Sequence, residues 1–465
     1  MTLTQFSKTM GNDESNKGKG AQKVPSLPPV KYMPLILRHL TAIAPRQMRE
    51  AMFHTASVAL CCIATRVRTY YTFDSYLHAL LLRELVEAEQ SGGKSFVREY
   101  VDGILMRTLK ERDADGRRKE QEYRELKQRA AKNKELPEAP KTVIRITPPA
   151  ISIAMLVKRA DAPQRYYGTP LTLWSFTEEL STIVESNKRA FANIRSIERT
   201  SYDLGSTWGN DYLSEQAYSA TVDILQCALY LGTPNAINAY ADNAFIEGGG
   251  VTRTIFIRLP GNIGDEAPEF KPLTAQMKEE INTILRRMDE DVYDKDGGVK
   301  PERIVDMSWL DKTVRRWCED QRNKVLMTGS LAHDTFYKRS SVSAFREATL
   351  CAYLYQLEGL GEKETQRRCK QIYLYAANFI LNSMLSRWGE RFEAMARKRM
   401  QGENKVRVPV FNQLTSPFTR LQLDEIVKRN ELTTPSKVFI SKWKAKGWID
   451  QTGSDTFTKL CSPHD

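Results

Sequence analysis

Between Leu77 and Leu259 the chain alternates β-prone runs with stretches long enough for helices, and this rhythm constrains the fold most. The runs are Leu77–Val86, Thr142–Thr147, Thr172–Thr177, Asp223–Leu231 and Thr254–Leu259. Most stop at a turn signal, Pro148-Pro149, Gly232-Thr233-Pro234 or Pro260-Gly261. Strands separated by helix-length connections predict an α/β core with a mostly parallel sheet covered by helices.

The remaining chain divides around that core. Residues 1–30 are polar and rich in Gly, Ser, Lys and Pro, which predicts a disordered arm. Residues 31–70 carry helical spacing through Leu35, Ile36, Leu40, Met52, Val58, Leu60 and Ile63. The core spans 71–270, interrupted at 107–141 by an almost wholly charged stretch. Opposite charges there fall four apart, as in Glu120 and Arg124, predicting a solvated helix or helical hairpin. Residues 271–400 read as a helical lid, 401–415 as a linker and 416–465 as a small terminal module.

Composition narrows the function classes. A net charge of +12 favours a polyanionic partner, nucleic acid first. No apolar run is long enough to span a bilayer, and the N-terminus lacks the apolar stretch of a secretion signal. The seven cysteines form no CxxC pair and none lies at zinc-ligand spacing from a histidine, so free thiols in a reducing cytoplasm are expected.

One segment carries phosphate chemistry. Ala88-Glu-Gln-Ser91-Gly92-Gly93-Lys94-Ser95, followed by Phe96, fits a relaxed Walker A pattern with Ala in place of the first Gly. Small residues let backbone N–H groups close around phosphate oxygens. Lys94 supplies a cation, Ser95 a hydroxyl for Mg²⁺, and the helix beyond points its positive end at the anion. ATP and Mg²⁺ are thus the expected cofactors. Such a site needs a carboxylate at a neighbouring strand end, and Leu173–Thr177 leads into Glu178 and Glu179. These two share metal support and general-base work in either order, with Glu179 favoured as base because a helix begins beside it. Thr233 or Asn235, after the fourth run, could sense the γ-phosphate. Arg253, on the loop Gly248-Gly-Gly250-Val-Thr, could stabilise transition-state charge in cis or in a neighbouring subunit. A surface arginine on a Gly-rich turn is nearly as good an account.

In order, Ser91-Gly-Gly-Lys-Ser-Phe96, the charged stretch around Lys119–Tyr123, Phe176-Thr-Glu-Glu179, Leu231-Gly-Thr-Pro234, and Arg253 with Phe256 resemble the helicase-like P-loop family of bacterial mobile elements and phages. Trp309-Leu-Asp311 and residues 334–391 are similar as well, so the resemblance covers about residues 34–393. It implies an additional-strand P-loop NTPase core of the RecA/AAA type, related to ring-forming helicases, with a homo-oligomer as its assembly and a hexameric ring among the options. By position it puts Lys94 and Ser95 on phosphate and Mg²⁺, Glu179 in the Walker B role, Thr233 on sensing and Arg253 in the finger role. Ala88 and Thr177 depart from the family pattern, where Gly and an acid are usual; both departures favour nucleotide binding over fast hydrolysis.

The terminal module reads helix, helix, hairpin, the outline of a winged helix. Thr419 caps the first helix, and Thr434 with Pro435 opens the second. The second helix carries Lys437, Lys442, Lys444 and Lys446 among apolar residues and ends at Gly447, an arrangement suited to a DNA backbone. A winged helix used for protein contact is the alternative. The sequence as a whole predicts a DNA-associated, helicase-like ATPase. The other reading is a nucleic-acid-binding assembly or regulatory factor with a slow or vestigial NTPase site.

Overall fold

The computed structural model describes residues 26–90, 92–129, 138–189, 194–210, 218–261, 266–430 and 432–460. The arm predicted for residues 1–30 therefore lies largely outside the described residues. The chain divides into two compact units: residues 1–329 with 333–387, and residues 330–332 with 388–465.

The larger unit is built on a five-stranded sheet. Its strands in chain order are β1 (Arg83–Glu87), β2 (Ile146–Thr147), β3 (Leu173–Thr177), β4 (Gln226–Gly232) and β5 (Ile255–Arg258). Across the sheet they run β2-β3-β4-β1-β5, all parallel. β1 and β4 are buried along their whole length; β4 is largely apolar, whereas β1 buries Arg83, Glu84 and Glu87 beside Leu85 and Val86. The register aligns Glu87 with Gly232 and Arg258, which puts the three central carboxyl ends at one level.

Several boundaries differ from those expected. Leu77–Val86 is two strands: Leu77–Ala79 joins a separate sheet with Val67–Tyr70 and Arg303–Ile304, and only Arg83 onward enters the main sheet. The 142–147 run shrinks to two paired residues. The reason is Asp113 of the charged stretch, whose carboxylate accepts from Arg145 N–H (3.1 Å) and Ile146 N–H (2.6 Å). That stretch is one helix over Arg107–Arg129; residues 130–137 lie outside the described residues. The helix is not wholly solvated: Leu109, Asp113 and Gly116 are buried, and Glu120 holds Arg159 through two bonds of 2.5 and 2.9 Å. An unexpected hairpin, Thr207–Asn210 with Ala220–Asp223, lies between β3 and β4.

The segments read as a lid do not form a separate body up to Arg387, because they build the core with the sheet. Helix Arg49–Ile63 is buried from Ala51 to Cys62, and its His54 Nδ1 lies 2.8 Å from Glu347 Oε1 of helix Leu331–Glu358. Arg346 of that same helix donates to the Leu81 carbonyl at 2.8 Å. The expected linker 401–415 is absent too, since helix Glu362–Gln413 runs on to Gln413. Val410, Phe411 and Leu414 are buried in the second unit's core.

The second unit packs Leu423, Ile426, Val427, Phe439, Ile440 and Trp443 against Phe418, Ile449 and Phe457. Thr419 caps helix Arg420–Arg429, as its sequence predicts, and forms a reciprocal capping box with Gln422. The next helix runs Ser436–Ala445, one residue later than expected, without a side-chain cap. Strands Phe418–Thr419, Thr456–Lys459 and Ile449–Gln451 pair in that order as an antiparallel sheet. No helix among the described residues is long and apolar enough to cross a membrane.

Candidate functional site

The strand order fixes where a ligand can sit. The β1-to-β2 connection runs past β4 and β3, while the β4-to-β5 connection returns across β1. Right-handed crossovers in opposite directions lie on opposite faces, which leaves a crevice outside the carboxyl ends of β1 and β4. The loop Ala88–Ser95 leaves β1 at that point. It is anchored by Ala88 N–H donating to Gly232 O at 3.1 Å and turned by Gly92 N–H donating to Glu89 O at 3.0 Å.

Gly93 takes a φ of +75°, a conformation that only glycine adopts freely. A Cβ there would also stand 2.4 Å from Pro268 Cγ. Ser91 lies outside the described residues. Helix begins at Ser95 and winds as a π-helix over Val97–Leu105. Gly103 permits the wider winding, since a Cβ would meet the Arg98 carbonyl at 2.9 Å. Phe96 is buried and stacks on Phe270, with ring centroids 5.3 Å apart. Lys94 is half-buried and Ser95 exposed. Among the described residues, nothing pairs with the Lys94 ammonium. A free ammonium beside the first N–H groups of a helix is an arrangement that favours an anion.

Two neighbouring strand ends bring further groups to the same edge. Thr233 caps helix Pro234–Tyr240, its Oγ1 accepting from Ala236 N–H at 3.4 Å. That leaves its hydroxyl proton free to donate toward the crevice. Asn235 is exposed on the same helix. On β3, Thr177 Oγ1 accepts from Glu179 N–H at 3.1 Å, which fixes the turn that carries both glutamates. Glu178 is half-buried, and its carboxylate lies 3.6 Å from Arg98 of the π-helix. Glu179 is exposed. One strand, β4, separates these carboxylates from the loop strand, a gap of about 10 Å at 4.8 Å per strand. Among the described residues no cluster of three or more His, Cys, Asp or Glu side chains could hold a metal. A magnesium ion here would depend on Ser95, one carboxylate and a ligand's phosphates, the sparse protein ligation that Mg²⁺ commonly has.

Arg253 is not brought to this edge. It precedes β5, whose Ile255 aligns with Glu84, so Arg253 stands level with Leu82 at the opposite end of the sheet. Six residues of strand separate that level from Ala88, about 20 Å at 3.3 Å per residue. Its Nη1 donates to Gly249 O at 3.2 Å. Burial, and next the charge of Arg339, hold its guanidinium below the usual arginine pKa. Lys437, Lys442, Lys444 and Lys446 of the terminal module are all exposed. Lys437 and Lys444, seven apart, share one flank of their helix, while Lys442 and Lys446, four apart, share the other. Lys444 bonds Gln451, and Lys446 lies over the Trp448 ring at 4.8 Å, so two of the four are already drawn onto the hairpin.

Other arginines occupy the loop's edge, and the sequence patterns did not reveal them. Glu87, the last residue of β1, is 2% exposed and holds two of them. Arg387 approaches its Oε2 at 2.8 Å and also donates to Asn238 at 2.7 Å; Arg258 approaches Oε1 at 3.4 Å. Arg387 lies 300 residues from its partner on a long helix, where no local motif marks it. Arg98 follows Lys94 by one helical turn. In comparison with known proteins, no family model matches the chain and no curated protein matches it.

Proposed function

We propose that the chain is a P-loop ATPase of the additional-strand type, associated with DNA and helicase-like in its core. The observation that carries this reading is the strand order. β4 intervenes between the loop strand β1 and the carboxylate strand β3, and Lys94, Ser95, Thr233, Glu178 and Glu179 all lie on the carboxyl edge of one parallel sheet. Lys94 and the loop N–H groups bind the β- and γ-phosphates, and Ser95 with Glu178 holds Mg²⁺. Glu179, exposed at the helix start, polarises the attacking water. Thr233 donates to the phosphate whose release it reports. Arg253 acts only across a subunit boundary, since its own loop is out of reach. The second unit, a winged helix in this reading, places Lys437 and Lys442 on the DNA backbone.

Lys94→Ala is expected to abolish ATP turnover while leaving the melting temperature unchanged, measured by phosphate release and circular dichroism. Turnover retained in that variant would remove the site assignment. A specific observation favours a second reading, an assembly factor with a slow site: Arg98 engages Glu178 and competes with Mg²⁺ for it. Phosphate release with and without single-stranded DNA separates the two. Stimulation by DNA indicates a motor, and binding without turnover indicates a slow switch.

A further inference from the structure

Away from the sheet's carboxyl edge, the larger unit contains a cavity of about 530 Å³. Helix Asp311–Thr328 lines it with Arg315, Cys318, Glu319 and Arg322, whose spacing of three, four and seven residues forms one continuous helical face. Helix Leu331–Glu358 supplies Tyr337, Lys338 and Arg339, the buried Tyr71 closes the floor, and Phe73 stands at the rim. The wall thus carries four cations against one acid, Glu319. Lys338 is tied to Asp334 at 2.7 Å. Arg322 and Arg339 make no ion pair or hydrogen bond with another described residue.

The floor is rigid and the lip is aromatic. Tyr71 donates to Ser341 at 2.7 Å, and Ser341 shares a bond with Tyr373, which fixes the bottom of the cavity. Arg315 donates to the Thr72 carbonyl at 2.8 Å and lies over the Phe73 ring at 5.0 Å. Phe73 is 51% exposed, and the same short segment exposes Tyr70 by 54% and Tyr76 by 77%. Three large rings left to water within seven residues are costly unless something covers them.

We propose that this cavity is a binding slot for single-stranded DNA, distinct from the lysines of the terminal module. Aromatic rings give bases a stacking face, and interleaved guanidinium groups track the phosphates. A cavity of this volume takes a nucleotide unit. The unpaired charge of Arg322 and Arg339 favours an anionic backbone over a neutral apolar peptide. This deepens the DNA-associated reading above but needs no nucleotide at the Lys94 site.

The test uses the full chain and a fluorescein-labelled oligothymidylate of about 15 nucleotides, followed by anisotropy across a salt series. Phe73→Ala and Arg322→Ala both alter exposed side chains, and their melting temperatures verify the fold. Each is expected to weaken binding about tenfold. Arg322→Ala also lowers the salt slope by about 0.7, and Phe73→Ala leaves the slope unchanged. Wild-type affinity in both variants overturns the slot. If only Lys437→Ala with Lys442→Ala loses binding, the slot falls and the terminal module stands. Displacement of the oligonucleotide by polyglutamate at equal charge concentration, or saturation by thymidine monophosphate at a comparable affinity, also overturns it.

Discussion

Two glutamates of one strand show how residue-scale physics separates scaffold from chemistry. Glu84 is fully buried, and neither carboxylate oxygen finds a hydrogen-bond partner among the described residues. Burial, reinforced by Glu347, pushes its carboxyl well above the usual carboxylate range. Unfolded, this group loses its proton near its ordinary value of 4.5; folded, it keeps it. Its contribution to stability is therefore full below that pH and falls as pH rises toward the raised value. Glu84→Gln is expected to raise the melting temperature relative to wild type by more at pH 8 than at pH 5. An equal difference at both pH values would show that the carboxyl is ionised in the fold. Glu87, three residues on, is buried too but clamps Arg387 and Arg258. The Arg258 arm is 70% exposed and adds little. The Arg387 arm is 20% exposed, so leaving it without a counter-charge costs more. Glu87→Gln is expected to destabilise by about 3 kcal/mol in urea unfolding. A loss under about 1 kcal/mol would mean that Arg387 has another anchor.

At the scale of elements, the loop after β1 is the tightest piece of the candidate site. Gly93→Ala would force a side chain into a positive-φ residue and against Pro268, so the loop must move. Nucleotide affinity is expected to fall at least tenfold with little change in melting temperature, read by titration with a fluorescent ATP analogue. Undiminished affinity would mean that the loop shape seen here is not the binding shape. The loop and the strand ends were legible in the sequence because each rests on local chemistry: small residues, a lysine, a glutamate pair after an apolar run. The Thr419 cap was legible for the same reason, though its reciprocal bond with Gln422 was not predicted. Elements set by distant partners were not. The two-residue β2 owes its shortness to Asp113, more than 30 residues earlier. The continuation of helix Glu362–Gln413, which places Val410 and Phe411 in the second unit's core, also rests on distant partners. Arg253 looked well placed in one dimension, and only the parallel register puts it at the wrong end of the sheet.

At the scale of the whole molecule, the position of Arg253 turns a residue question into an assembly question. If it serves a neighbour's site, mixing inactive Arg253→Ala and Lys94→Ala chains is expected to restore part of the phosphate release. The mixed assembly contains sites with an intact loop and an arginine from next door. Mixtures as inactive as their components would exclude the arginine from catalysis.

The core of the larger unit also has a consequence for synthesis. Helix Arg49–Ile63 and the strands beside it are covered by helix Leu331–Glu358, through His54 with Glu347 and Arg346 with the Leu81 carbonyl. Arg68 likewise waits for Glu302, and Leu35 for Glu358. Before residue 300 has emerged, helix Arg49–Ile63 can pack on the sheet but lacks the side chains that later cap it, Glu347 on His54 and Arg346 on the Leu81 carbonyl. Closing loops of this length delays folding until the later helices emerge. During that interval the surface that helix Leu331–Glu358 later covers stays exposed, the kind of transient apolar surface that chaperones hold.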